Sequence, residues 1–176
     1  MKKYKYPLGI LFVCLLALLI TSQVHAARSN ALHSTLSSQH LSFAAQCLAQ
    51  GALPDPICTP GSVFAGVTAS EVCTPGYSKS VRNVPTSVKN QVYASYGIMT
   101  HSPGEYEIDH HIPLELGGSN EVTNLWPEPA SPAPGFHEKD KVENYLHAQV
   151  CSGAMALDEA QHEISTNWLD VYKRIS

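Results

Sequence analysis

Apolar residues recur at helical spacing in three stretches of the chain. Val88, Val92 and Tyr96 lie four apart and predict a helix over 86–96, capped by Thr86 or Ser87 and stopped by Gly97. Val142, Leu146 and Val150, with Tyr145 beside them, predict a helix over 137–150 that Gly153 ends. Ala160, Ile164, Trp168 and Tyr172 predict a last helix over about 157–174, its aromatic pair in the core. A shorter helix over 41–50 is expected before Gly51 and the breaker Pro54-Asp55-Pro56. Between the first two helices the pattern changes. Residues 105–109 predict a strand, Gly117-Gly118 a turn, and 119–125 the return. Pro127, Pro129, Pro132 and Pro134 predict an irregular loop. Upstream, Cys58-Thr59-Pro60-Gly61 and Cys73-Thr74-Pro75-Gly76 are two Pro-Gly turns, flanked by short extended pieces near 63–67 and 77–81. Helices around one short hairpin make this an α+β chain.

The N-terminus changes the accounting. Lys2, Lys3 and Lys5 precede an apolar run from Leu8 to Ile20, and Val24-His25-Ala26 follows. A basic start, a short apolar run and a small-residue site read as a secretory signal peptide over 1–26, with export to the periplasm or the outside. The run is shorter than the ~20 residues of a membrane span, so no lasting membrane association is expected after cleavage. Residues 27–53 read as a flexible lead-in plus the short helix, and 54–176 as a single domain. Cleavage takes three lysines and no acid. Eight basic and fifteen acidic side chains remain, a formal charge of −7 with histidines neutral. Such a chain does not hold nucleic acid by bulk electrostatics. Cys47, Cys58, Cys73 and Cys151 remain as well, an even number in an exported chain, which predicts two disulfides. Three pairings exist. The sequence does not choose between them; Cys58–Cys73, which leaves Cys47–Cys151, is attractive because both cysteines sit in matching turns, and a four-thiolate zinc site lacks the usual close pairs.

The chemistry-bearing stretch is Glu107-Ile108-Asp109-His110-His111-Ile112-Pro113-Leu114-Glu115-Leu116-Gly117-Gly118. A carboxylate able to hold a hard cation stands beside two imidazoles that exchange protons near neutral pH. Asn124-Leu125-Trp126-Pro127-Glu128-Pro129 follows, then His137, then Lys139-Asp140 and Glu143. These spaced blocks resemble the HNH (His-Me finger, ββα-metal) endonuclease family, in particular its small secreted bacterial members. The resemblance runs from about Pro54 to the C-terminus. It implies a ββα-metal core over about 105–150, with flanking helices and a disulfide-stapled N-terminal loop layer.

The resemblance also implies roles. His110 is the general base. Asp109 and His137 hold one divalent metal, for which magnesium or manganese suits the donor set and zinc is tolerated. Asn124 holds the connecting loop through its amide. Glu115 and Glu128 recur in the resemblance as well, and a loop-fixing hydrogen bond is preferred for both over metal binding through water. Strand alternation puts Asp109 and His111 on one face and His110 on the other, so His111 stands as the alternative base. Arg82 and Lys89 are nearby cations for phosphate, with ordinary solvation as the plainer role. His33, His40, His101, His147 and His162 read as ordinary histidines.

The expectation is an exported metal-dependent endonuclease. It would hydrolyse phosphodiester bonds of nucleic acid, DNA before RNA, with little sequence preference, since no base-reading module is visible. The competing expectations are a non-catalytic metal- or partner-binding module on the same fold, and a secreted effector. No feature names a protein partner.

Overall fold

Asn124 explains why a hairpin forms here. Its side chain, fully buried, accepts from the Ile112 N–H at 2.9 Å and donates to the carbonyls of Ile112 and Ser119, each at 2.9 Å. One amide thus satisfies backbone groups on both sides of a loop that would otherwise bury them unpaired. The loop contains a 3₁₀ turn at Leu114–Leu116 and another at Val122–Asn124. Gly118 is packed so closely that a Cβ there would meet the Ile112 carbonyl oxygen at 1.7 Å.

This computed structural model describes residues 46–176, which form one unit. The signal peptide, the lead-in over 27–40 and the first half of the expected 41–50 helix lie outside the described residues. The part of that helix which is described, Gln46–Gln50, is not helical, and Gln50 bridges to Leu53 instead.

The elements are α1 (Ala69–Val72), α2 (Tyr77–Val81), α3 (Thr86–Ser95), β1 (Tyr106–His110), β2 (Leu125–Pro129), α4 (Phe136–Cys151) and α5 (Leu157–Ile175). The architecture is mixed α and β, with a two-stranded antiparallel sheet. Three expectations need correction. Residues 77–81 are helical rather than extended. The return strand is 125–129 rather than 119–125, so two of the four prolines lie in a strand. Pro127 pairs with Ile108 and Pro129 with Tyr106. The flanking bonds, His111 N–H to Asn124 O and Ala130 N–H to Glu105 O, put both prolines at non-hydrogen-bonded positions, where a missing N–H costs nothing. Finally, α3 is capped by Pro85, with no side-chain cap from Thr86 or Ser87.

Two apolar clusters surround the hairpin. The larger joins Val142, Leu146 and Val150 of α4 to Ala160, Ile164, Trp168 and Val171 of α5, with Ile112 and Leu116 from the loop. Trp168 donates its indole N–H to the Ala52 carbonyl at 2.9 Å. Asn167 breaks the helical backbone of α5. Tyr145, expected on the apolar stripe of α4, faces solvent. The smaller cluster holds Val92, Tyr96, Leu125, Trp126 and Cys47.

The disulfides are Cys47–Cys58 and Cys73–Cys151, rather than the pairing that the matching turns suggest. The matching turns carry their cysteines in different directions. Asp55 folds the chain back on itself by accepting from the N–H groups of Leu48, Ile57 and Cys58, which brings Cys58 beside Cys47. Cys73 follows α1, which packs on α4, and so meets Cys151. No helix among the described residues is long and apolar enough to cross a membrane.

Candidate active site

Lys139 is the organising charge. It lies in the second turn of α4, 1% exposed, on the stripe that Val142, Leu146 and Val150 continue. Its ammonium donates to Asp109 Oδ2 at 2.6 Å, to the His110 carbonyl at 2.9 Å, and to Glu143 one turn along. One cation therefore ties the end of β1 to α4. Burial works against its charge, but the Asp109 carboxylate first, with Glu143 beside it, outweighs that and holds the proton on more firmly than usual. Burial also presses on Asp109, yet Lys139 keeps it ionised below the ordinary carboxylate range.

Glu128 on β2 is fully buried with no N–H or hydroxyl partner, and its carboxyl group shares a hydrogen bond with that of Asp109. Burial first, with the Asp109 charge adding to it, pushes its pKa far up, so it carries a proton at neutral pH. Loop fixing is the preferred expectation for Glu128, but no backbone bond of that kind is present. Glu115 is half-buried, with Oε1 unpartnered.

The two histidines diverge at the strand end. His110 Nε2 faces Asn120 Oδ1 at 3.2 Å. The Asn120 amide is fixed by its own bonds, Nδ2 donating to the Val81 carbonyl at 2.8 Å and Oδ1 accepting from the Asn83 N–H at 3.2 Å. An oxygen therefore faces the ring. His110 Nε2 carries the hydrogen, and the lone pair lies on Nδ1. Burial lowers the His110 pKa, which favours the neutral, proton-accepting form. His111 turns away. Its Nε2 donates to the Ser165 carbonyl at 3.0 Å, Nδ1 is buried without a partner, and burial lowers its pKa to about 4.

Two hollows have Arg82, Asp109 and Glu143 in both their linings. The smaller, ≈ 60 Å³, also contains His110. The larger, ≈ 410 Å³, adds Lys89, Tyr93, Tyr106, Glu107 and Asp140. His111 lines neither and instead faces a separate hollow with Ser165. His137 is exposed on the first turn of α4, its ring 4.3 Å from that of Phe136. It lines neither hollow. The structure thus brings Asp109 and His110 to one opening, places Asn124 beneath them, and leaves His137 at the margin.

Sequence reasoning passed over Lys139, Asn120 and Glu143 as site residues. Lys139 and Glu143 had a visible signal, because a lysine on an apolar helical stripe with a glutamate four residues on needs a buried partner. Asn120 had none, since its partners come from α2 and from the loop after it. A further cluster, Cys73, His147 and Cys151, has metal-ligand chemistry in close quarters, but its two sulfurs form a disulfide. The chain matches no protein-family model, no curated protein and no solved structure.

Proposed function

We propose that the protein is an HNH-type endonuclease that hydrolyses phosphodiester bonds of nucleic acid after export. The observation that carries the reading is the meeting of His110 and Asp109 at one opening that Arg82 also lines. A neutral imidazole with its hydrogen held by Asn120 presents Nδ1 to take a proton from attacking water. Arg82 offers a guanidinium to a phosphate oxygen. Lys139 holds the Asp109 carboxylate and the His110 carbonyl in register, so the base and the acid move together. Asn124 keeps the backbone after His110 from shifting.

The donors are of the kind a hard divalent cation takes, although among the described residues no three of them bring their ligand atoms within 4.8 Å of one another. Glu107, Asp109, Asp140 and Glu143 crowd one cleft, and burial together with the Asp109 charge raises the pKa of Glu107, Asp140 and Glu143 alike. Such an excess of carboxylate is relieved by a cation. Lys139 engages Oδ2 of Asp109, and the Glu128 carboxyl hydrogen-bonds the same side chain. Asp109 would hold the metal, with His137 as the imidazole that the resemblance assigns and Glu143 as the nearer carboxylate. A magnesium or manganese ion there supplies Lewis-acid charge neutralisation at the phosphate.

One observation favours a second reading. The Lys139 ammonium already balances Asp109 internally, as it would in a binding module that has no catalysis. Plasmid cleavage by the oxidised protein separates the two, with magnesium, manganese or EDTA and with His110→Ala beside His111→Ala. Metal-dependent cutting that His110→Ala abolishes and His111→Ala retains is the expected result. No cutting of DNA or RNA by folded, metal-loaded wild type would sink the enzyme reading.

A further inference from the structure

The cleft also carries information about what enters it. Residues 46–176 hold seven Lys and Arg against fifteen Asp and Glu. Four of the seven, Lys139, Lys141, Lys173 and Arg174, are paired with carboxylates. Among the described residues, only Lys79, Arg82 and Lys89 have no such partner, and two of these three line the cleft beside Asp109. Duplex binding rests on many phosphate contacts, commonly six to ten. Two unpaired cations in an otherwise acidic surface do not supply them.

The same cleft has an aromatic wall. Tyr93 lies one turn along α3 from Lys89, so the two share a helix face. The Tyr93 ring stacks on that of His101 at 4.4 Å and 29°, and His101 meets Tyr106 edge-on at 6.2 Å and 84°. Tyr93 and Tyr106 are both half-buried and both line the cleft. A few cations for the backbone and aromatic faces for unpaired bases are the recognition chemistry of a single strand. In a duplex the base faces are already stacked on one another and have nothing to offer such a wall.

Resting on the hydrolase reading, we propose that the substrate is single-stranded nucleic acid, docked with its phosphates on Arg82 and Lys89 and a base against Tyr93 and Tyr106. The strand then passes Asp109 and His110 at the shared edge of the two hollows.

The test is fluorescence anisotropy in magnesium with the oxidised His110→Ala protein. The probes are a labelled 12-mer single strand and the same strand annealed to its complement. The single strand is expected to bind at least tenfold more tightly. Tyr93→Leu and Tyr106→Leu, added singly, are expected to weaken it by about 5-fold or more, within the range of one lost stacking contact. Tyr93→Phe retains binding because it keeps the ring. Arg82→Ala and Lys89→Ala each reduce the salt slope by about 0.7. Circular dichroism identifies any variant that has lost its fold, and the Tyr93→Phe comparison then decides the stacking question by itself, through loss or retention of tight binding relative to Tyr93→Leu or Tyr106→Leu in the folded set. Equal or tighter binding of the duplex overturns the proposal, as do folded Tyr→Leu variants that bind unchanged. Cleavage by wild type is read separately on both probes. Single-strand binding as expected without any cleavage removes the hydrolase reading and leaves the docking intact. Equal cleavage of both probes, with the tyrosine variants unaffected, removes the docking and leaves the hydrolase.

Discussion

Lys139 and His111 are both buried polar residues, and they respond to opposite perturbations. Lys139 loses its solvation entirely and regains it from two carboxylates and a carbonyl. Removing one side of such an arrangement leaves the other buried and uncompensated. Lys139→Met is therefore expected to cost about 3–5 kcal/mol in urea unfolding, although methionine is apolar and similar in length. A loss below about 1 kcal/mol would mean that the carboxylates find solvent or protons without strain. His111 shows the reverse case, a group kept neutral. Its folded pKa of about 4 lies below the ordinary 6.5, so the unfolded chain takes up a proton first as pH falls. Stability from this group is complete above pH 6.5 and is lost as pH drops toward 4. The total is about 3 kcal/mol. Glu128 and Glu143 titrate in other directions, so the quantity to measure is wild type minus His111→Gln across that window. A difference that stays flat with pH would show His111 to be solvated.

The hairpin is the element through which the candidate site is built. Its turn chemistry was written in Gly117-Gly118, and the amide of Asn124 reaches back across twelve residues to close the loop. Gly118 has no room for a side chain. A Cβ would meet the Ile112 carbonyl oxygen and the Asn124 amide nitrogen, and both belong to the clamp. Gly118→Ala is expected to cost about 3 kcal/mol and to disturb the His110 ring. Thermal unfolding and the His110 imidazole resonances check both parts. An alanine variant with wild-type stability would mean that the loop relaxes freely. The strand boundary was misread by several residues because Pro127 and Pro129 look like strand breakers. They are tolerated because a two-stranded sheet leaves one edge of each strand unpaired.

At the scale of the molecule, two disulfides hold the described chain. Cys47–Cys58 spans 11 residues, whereas Cys73–Cys151 spans 78 and ties α1 to the end of α4. Chain-entropy cost grows with the logarithm of loop length. Cys73→Ser with Cys151→Ser is expected to lose about 4 kcal/mol, against about 3 for the shorter pair. Urea midpoints of the two double variants rank them, and a larger loss from the short loop would contradict the entropic account. The long-range pair also anchors the helix that carries Lys139, so its removal is expected to loosen the candidate site as well as the fold.

The sequence by itself determined the elements whose signal is local. Helical periodicity marked α3, α4 and α5, because apolar side chains four apart must share a face. The glycine pair marked a turn, and Asp109-His110 marked the strand end that lines the candidate site. An even cysteine count marked two bridges. Only the tertiary structure decided which residues meet. Pairing of the cysteines, the split between His110 and His111, the seat of Lys139 and the hold of Asn120 on the imidazole all join residues distant along the chain. Each depends on how helices pack against a short hairpin, and a local pattern carries no record of the far partner.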